Sequence, residues 1–166
     1  VWGFANGMDI SPVLREPPAN KGYGNSITTP CDVMDMETAR KVLLALSETV
    51  GSRLRADEVR IEVVAVGIRY AGVTEENLFP FASHQKRLEA ATNLTIEIYN
   101  AACQLFADLW SGNSVRHLGV HTGRVQEGQL VRQMQLFDET NYEKLARMDE
   151  TVDSIRERFG PDSIKR

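Results

Sequence analysis

The chain has 166 residues, 42% hydrophobic and 25% charged, with 12 Gly and 6 Pro. This is the profile of one globular domain with an appendage, and it excludes disordered, collagenous and coiled-coil chains. No run of 18 apolar residues occurs, and the opening Val1-Trp2-Gly3-Phe4 lacks the basic flank and apolar stretch of a secretory signal, so the chain is expected in the cytoplasm, with no membrane partner. Two cysteines, Cys31 and Cys103, are too few for a disulfide framework and are read as reduced, while 23 acids against 19 bases leave a net charge of −4. A nucleic-acid partner would have to be met by a local basic patch.

Residues 1–23 have no sustained period, and Pro12, Pro17, Pro18 and several glycines interrupt helix and ladder alike; they read as a lead-in. From residue 24 to 29 the β-branched content rises, and Pro30 is expected to end a short strand there. Asp35 is the expected N-cap of a helix in which Met36, Ala39, Leu43, Leu46, Val50 and Leu54 recur every three or four residues, with Arg40, Lys41, Glu48 and Arg53 on the opposite face. Residues 59–73, rich in Val and Ile, predict a long strand bent near Gly67, and residues 78–91 predict a strand returning antiparallel beside it.

Thr92 and Asn93 are then expected to cap a second amphipathic helix, with Leu94, Ile98, Ala101, Leu105 and Leu109 on one stripe and Gly112-Asn113 ending it. Residues 115–125 read as the last strand. The order strand, helix, strand, strand, helix, strand predicts an α+β fold, a four-stranded sheet with two helices on one face (β-α-β-β-α-β) and the other face open. A polar linker follows, beginning at Gln126. Thr140 to Glu143 reads as a capping box for a C-terminal helix with a stripe of Leu145, Met148, Val152, Ile155 and Phe159, stopped by Gly160-Pro161. The expected division is 1–23, 24–125 and 126–166.

Two clusters of chemically able residues read as surface. His117 and His121 would share a metal on a helix, but four residues along a strand span about 13 Å, too far for one ion, so no metal site is expected. Asp149, Glu150 and Asp153 fall on the polar side of the last helix, near Arg156, and are expected to be solvated. Gln133-Met134-Gln135-Leu136-Phe137 is open to two readings. Leu130, Met134 and Phe137 have helical spacing and could be core, whereas an apolar pair on a polar linker between a finished sheet and a capped helix has the form of a docking peptide.

Several stretches, in order along nearly the whole chain, resemble the C-terminal third of a Y-family translesion DNA polymerase of the bacterial DNA polymerase IV type. Phe4-Ala5-Asn6-Gly7-Met8-Asp9 is similar to the end of the family's thumb, and Arg116-His117-Leu118-Gly119-Val120 to the last strand of its little-finger domain. Gln133 to Phe137 resembles its sliding-clamp-binding pentapeptide, and Asp153-Ser154-Ile155-Arg156-Glu157-Arg158-Phe159-Gly160 the tail of some Gram-positive members.

The resemblance implies a lead-in from the thumb, a little finger gripping primer-template DNA, and a tail that binds a bacterial sliding clamp through Gln133, Met134, Gln135, Leu136 and Phe137. It aims Arg69, Lys86, Arg87, Arg116 and Arg124 at the DNA backbone, with Ser26, Thr28 and Ser83 as small polar residues that let backbone amides approach phosphate. The palm carboxylates that hold two Mg²⁺ ions for nucleotidyl transfer would lie upstream of Val1. This segment is therefore expected to catalyse nothing itself and to hold no cofactor, its intact parent serving lesion bypass in DNA repair. One departure stands out: up to Phe137 acids outnumber bases, where the family's little finger tends to be basic. The alternatives are an RNA-binding module on the same plan, which would need stacking aromatics on the strands, and a purely protein-binding domain.

Overall fold

The computed structural model describes residues 2–8, 12, 19–72, 80–128 and 141–164. Its elements run α1 (Trp2–Ala5), β1 (Gly24–Val33), α2 (Met36–Ala56), β2 (Val59–Tyr70), β3 (Phe81–Thr92), α3 (Thr95–Leu109), β4 (Val115–Glu127) and α4 (Tyr142–Phe159). The four strands form one antiparallel sheet in the order β1-β4-β2-β3, and α2 and α3 pack on one face of it. The predicted α+β architecture is the observed one.

Alternation of side chains along each strand sends Val64, Val66, Ile68, Leu118 and Val120 toward the helices, where all are buried. They meet Ala39, Leu43, Leu46, Val50 and Leu54 of α2 and Ile98, Ala102, Leu105 and Phe106 of α3. The apolar stripes expected from helical spacing are thus the core-facing stripes. Cys31 is exposed and Cys103 half-buried, both as free thiols, and burial pushes the Cys103 thiol above its ordinary value.

Element boundaries depart from expectation for identifiable reasons. A one-turn helix, α1, forms within the lead-in. Strand β1 continues through Pro30 to Val33 because it lies at the sheet edge and pairs only with β4, so the missing N–H of Pro30 falls in a shifted stretch between Thr28 and Val33. Strand β2 stops at Tyr70, and its ladder runs unbroken through Gly67; the irregularities lie between Ile61 and Val63 and between Arg69 and Tyr70. Strand β3 begins at Phe81, and residues 73–79, which include the start of the strand predicted over 78–91, lie outside the described residues. Helix α3 ends at Leu109 with Trp110 as its C-cap, so Gly112 (φ 89°) turns the chain after the helix. Strand β4 runs on to Glu127.

Asp35 caps α2 as expected, its Oδ1 accepting from the Thr38 amide at 2.7 Å and its Oδ2 from the Thr38 hydroxyl at 2.8 Å. The cap of α3 is different. Leu94 holds the N-cap position without a side-chain bond, and the Thr95 amide instead donates to Asp149 Oδ2 of α4 at 2.9 Å. Asn141 caps α4 by accepting from the Lys144 amide at 2.9 Å; Thr140 lies outside the described residues, and Glu143 pairs with Arg147.

The solvated reading of the α4 acids holds for Glu150, which is exposed, and is overturned for Asp149 and Asp153. Asp149 is 2% exposed, and Arg55 joins it at 3.2 Å while its Nε reaches Asp153 Oδ2 at 2.6 Å. Arg156 pairs at 2.9 Å with Glu48, which is therefore buried rather than part of the outer face of α2. Of the apolar stripe expected on α4, Val152 is buried, whereas Met148 and Phe159 are exposed. Ion pairs to α2 help seat the helix, and its buried face combines Asp149 with Val152 while the Met148 and Phe159 edge of the apolar stripe is left outside.

Candidate nucleic-acid interface

Residues paired across an antiparallel ladder share a face, so the register fixes what the uncovered side of the sheet presents. Across β1, β4, β2 and β3, one row is Thr28, His117, Arg69 and Phe81, and the next is Ser26, Gly119, Gly67 and Ser83. A third row is Gly24, His121, Ala65 and Gln85, and Gly123, Val63 and Arg87 begin a fourth. None of these positions holds an acid. From Arg69 to the row of Arg87 is six residues along β2, about 20 Å, the axial rise of about six base pairs of duplex.

The middle of this face is built from small residues with rings laid over them. A Cβ at Gly67 would sit 3.4 Å from the Phe81 ring, and one at Gly119 would meet His121 Nε2 at 2.9 Å and the Ser26 Cβ at 3.0 Å. Glycine at 119 leaves room for the His121 ring and for Ser26 of β1, either of which would have to shift to admit a side chain. Phe81 remains 59% exposed, and Thr28 Oγ1 lies 3.1 Å from His117 Nδ1.

The cations predicted from sequence separate into four settings. Arg69 projects from the open face, exposed, with no hydrogen bond or ion pair among the described residues. Arg87 and Arg124 share one carboxylate oxygen, Glu62 Oε2, at 2.9 and 3.8 Å. Arg116 is turned to the end of β1, where it pairs with Asp32 at 2.9 Å and donates to the Pro30 carbonyl. Lys86 is paired in register with Val64, a core-facing position, and its Nζ donates to Gln104 of α3 at 3.1 Å; it therefore lies on the helix side of the sheet edge. Ser26, Thr28 and Ser83 all lie on the open face.

Sequence reasoning passed over Glu62, Phe81 and the glycine pair. Gly67 and Gly119 stand opposite each other, and a glycine inside each of two strand patterns was the available signal of close approach. No signal in the sequence tied Glu62 to two arginines that lie 25 and 62 positions further along. Among the described residues no group of three or more His, Cys, Asp or Glu side chains could hold a metal ion, and no helix is long and apolar enough to cross a membrane. Residues 133–137 lie outside the described residues.

A four-stranded antiparallel sheet is covered by helices on one side, and its other side presents register rows without an acid, edged by arginines of which two are paired with Glu62; this is an α+β domain with one open sheet face. The family model described as "impB/mucB/samB family C-terminal domain" matches residues 20–136. The chain belongs to this family and carries the little-finger domain of Y-family DNA polymerases of the polymerase IV type.

Its relatives include DNA polymerase IV of Acetivibrio thermocellus, 36% identical over 171 residues, and DNA polymerase IV of Clostridium acetobutylicum, 34% identical over 166; both alignments cover 100% of this chain and 41% and 40% of the relative. DNA polymerase IV 2 of Bacillus subtilis is 34% identical over 168 residues, again across 100% of this chain and 39% of the relative. The chain thus spans about two fifths of the length of the curated relatives it matches. A chain of the solved structure described as "Complex of beta-clamp processivity factor and little finger domain of PolIV" superposes with a TM-score of 0.48 at 16% identity, covering 70% of this chain and 99% of the other.

Proposed function

We propose that the open face of the sheet grips primer-template duplex without reading its sequence, and that residues 133–137 tether the same polypeptide to a bacterial sliding clamp. The observation that carries the first half is the acid-free block of register rows running from Arg69 to Arg87. Duplex DNA is a dense line of negative charge. A face with cations at its ends and small polar residues between them can hold phosphates while making no base contacts, as a polymerase that accepts any template requires.

The local arrangement also answers the net charge of −4. Several acids are engaged away from this face, as Asp149, Asp153 and Glu48 are in the seating of α4. The second half rests on the resemblance of Gln133, Met134, Gln135, Leu136 and Phe137 to a clamp-binding peptide. Nucleotidyl transfer, with its Mg²⁺ ions, belongs on this reading to the part of the longer polymerases that this chain does not match, and residues 1–166 extend no primer by themselves.

The test is duplex binding as a function of salt. The wild-type chain binds unrelated sequences alike, and Arg69→Ala with Arg87→Ala together lowers the slope of log affinity against log salt by up to about two. A preference for one sequence, an unchanged slope in the double variant, or tighter binding of single-stranded RNA would refute the reading.

A further inference from the structure

We propose that Glu62 is a positioning residue that gathers Arg87 and Arg124 into one pincer for a single backbone phosphate, an inference that rests on the DNA-gripping reading above. Three strands meet at this carboxylate. Arg87 of β3 approaches Oε2 through both Nε (3.1 Å) and Nη2 (2.9 Å), and Arg124 of β4 reaches the same oxygen through Nη1 at 3.8 Å. Gln126 of β4 donates to the other oxygen, Oε1, and anchors the carboxylate from behind. Glu62 is 18% exposed, whereas the arginines are 63% and 61% exposed. The acid therefore sits beneath, and the donors it leaves unused on each five-donor guanidinium face outward.

The backbone is irregular at this place on both sides of β2. Between Ile61 and Val63, two positions along β2 correspond to five along β3, from Thr92 to Arg87. On β4, Arg124 adopts φ 53°, a left-handed conformation that costs a non-glycine residue free energy. The other non-glycine residue with positive φ among those described, Glu58, lies in the turn between α2 and β2. Bulges and left-handed residues re-aim side chains, and here both depart from regular geometry where two cations converge on one oxygen. Two guanidiniums held side by side match the geometry of a phosphate group.

Duplex affinity of Glu62→Gln and Glu62→Ala separates positioning from charge. Simple electrostatics tightens binding whenever an acid leaves a DNA face. Positioning instead has Glu62→Gln, whose amide oxygen still accepts from the guanidiniums, bind within about threefold of wild type, and Glu62→Ala bind about tenfold more weakly, at unchanged melting temperature. Glu62→Ala binding as tightly as Glu62→Gln overturns the proposal. A second measurement leaves Glu62 in place: if both arginines serve one phosphate, Arg87→Ala and Arg124→Ala combined cost clearly less than the sum of the two alone, and strict additivity overturns the proposal as well. Arg69→Ala distinguishes the two readings. If it weakens binding while the Glu62 variants bind alike, the gripping face stands and only the role of Glu62 falls; if wild type shows no salt-dependent binding, both fall.

Discussion

Asp35 and Asp149 satisfy helix N-termini by different means, and the difference sets what each does when pH or sequence changes. Asp35 caps its own helix, and its hydrogen bonds to the amide and hydroxyl of Thr38 hold its carboxyl below the ordinary carboxylate value. A depressed folded-state value means that its contribution is fully present above about pH 4, the ordinary unfolded range, and is lost as pH falls through the folded value. Asp35→Asn keeps a capping oxygen but no titrating charge, so the acid-side loss of thermal stability should be shallower in the variant. Parallel melting curves from pH 6 down to pH 2.5 that never converge or diverge would contradict this assignment. At the same scale, Lys86 and Arg87 are sequence neighbours on opposite sides of the sheet. Lys86→Ala should leave duplex affinity within about twofold, whereas Arg87→Ala should lower the salt slope by about one; equal effects from the two would mean that the register does not govern binding.

Among the elements, α4 is the one whose attachment could not be read from periodicity. Its apolar residues predicted a face containing Met148, Val152 and Phe159; Val152 is buried as expected, but Met148 and Phe159 are exposed and Asp149 is buried in their place. The cause is Arg55, near the C-terminal end of α2, which donates to the Asn93 carbonyl and the Thr95 hydroxyl as well as to Asp149 and Asp153. One guanidinium thus joins α2, the entry of α3 and α4, and Asp149 completes the junction by taking the Thr95 amide. Removing one partner of a buried pair leaves the other unpaired, typically at 3 to 5 kcal/mol. Asp149→Ala should therefore lower the opening free energy of α4 and of the first turn of α3 by about 3 kcal/mol in amide exchange, with the β2 and β4 amides unchanged. Uniform acceleration across the sheet would contradict the local role. The segment 133–137 belongs to another category: if Leu136 and Phe137 are docking residues, their joint replacement by Ala should abolish clamp binding, a loss of about thirtyfold or more, with little change in melting temperature.

For the molecule as a whole, the sheet with its two helices was legible because burial imposes periods of two and 3.6 on the sequence, as Val64, Val66 and Ile68 and Leu43, Leu46 and Val50 display. Which strand neighbours which was not carried by any such period, and the composition of the open face depends on that order. Ser83, Gly67, Gly119 and Ser26 lie scattered over almost a hundred positions and form one row only when β4 lies between β1 and β2. The same holds for the ion pairs: Arg55 with Asp153, and Glu62 with Arg124, are distant in sequence and close through topology. Pro30 was misread as a strand end because its tolerance depends on β1 being an edge. On the proposed reading, function is carried by the side of the sheet that core packing leaves unconstrained. The most direct measurement of that claim is an NMR titration of the isotope-labelled chain with a short duplex of arbitrary sequence. Shift changes should concentrate in the four strands and in the guanidinium signals of Arg69 and Arg87, with the amides of α2, α3 and α4 unmoved; changes centred on the helix layer, with the strands and those two arginines silent, would contradict a DNA-gripping sheet face.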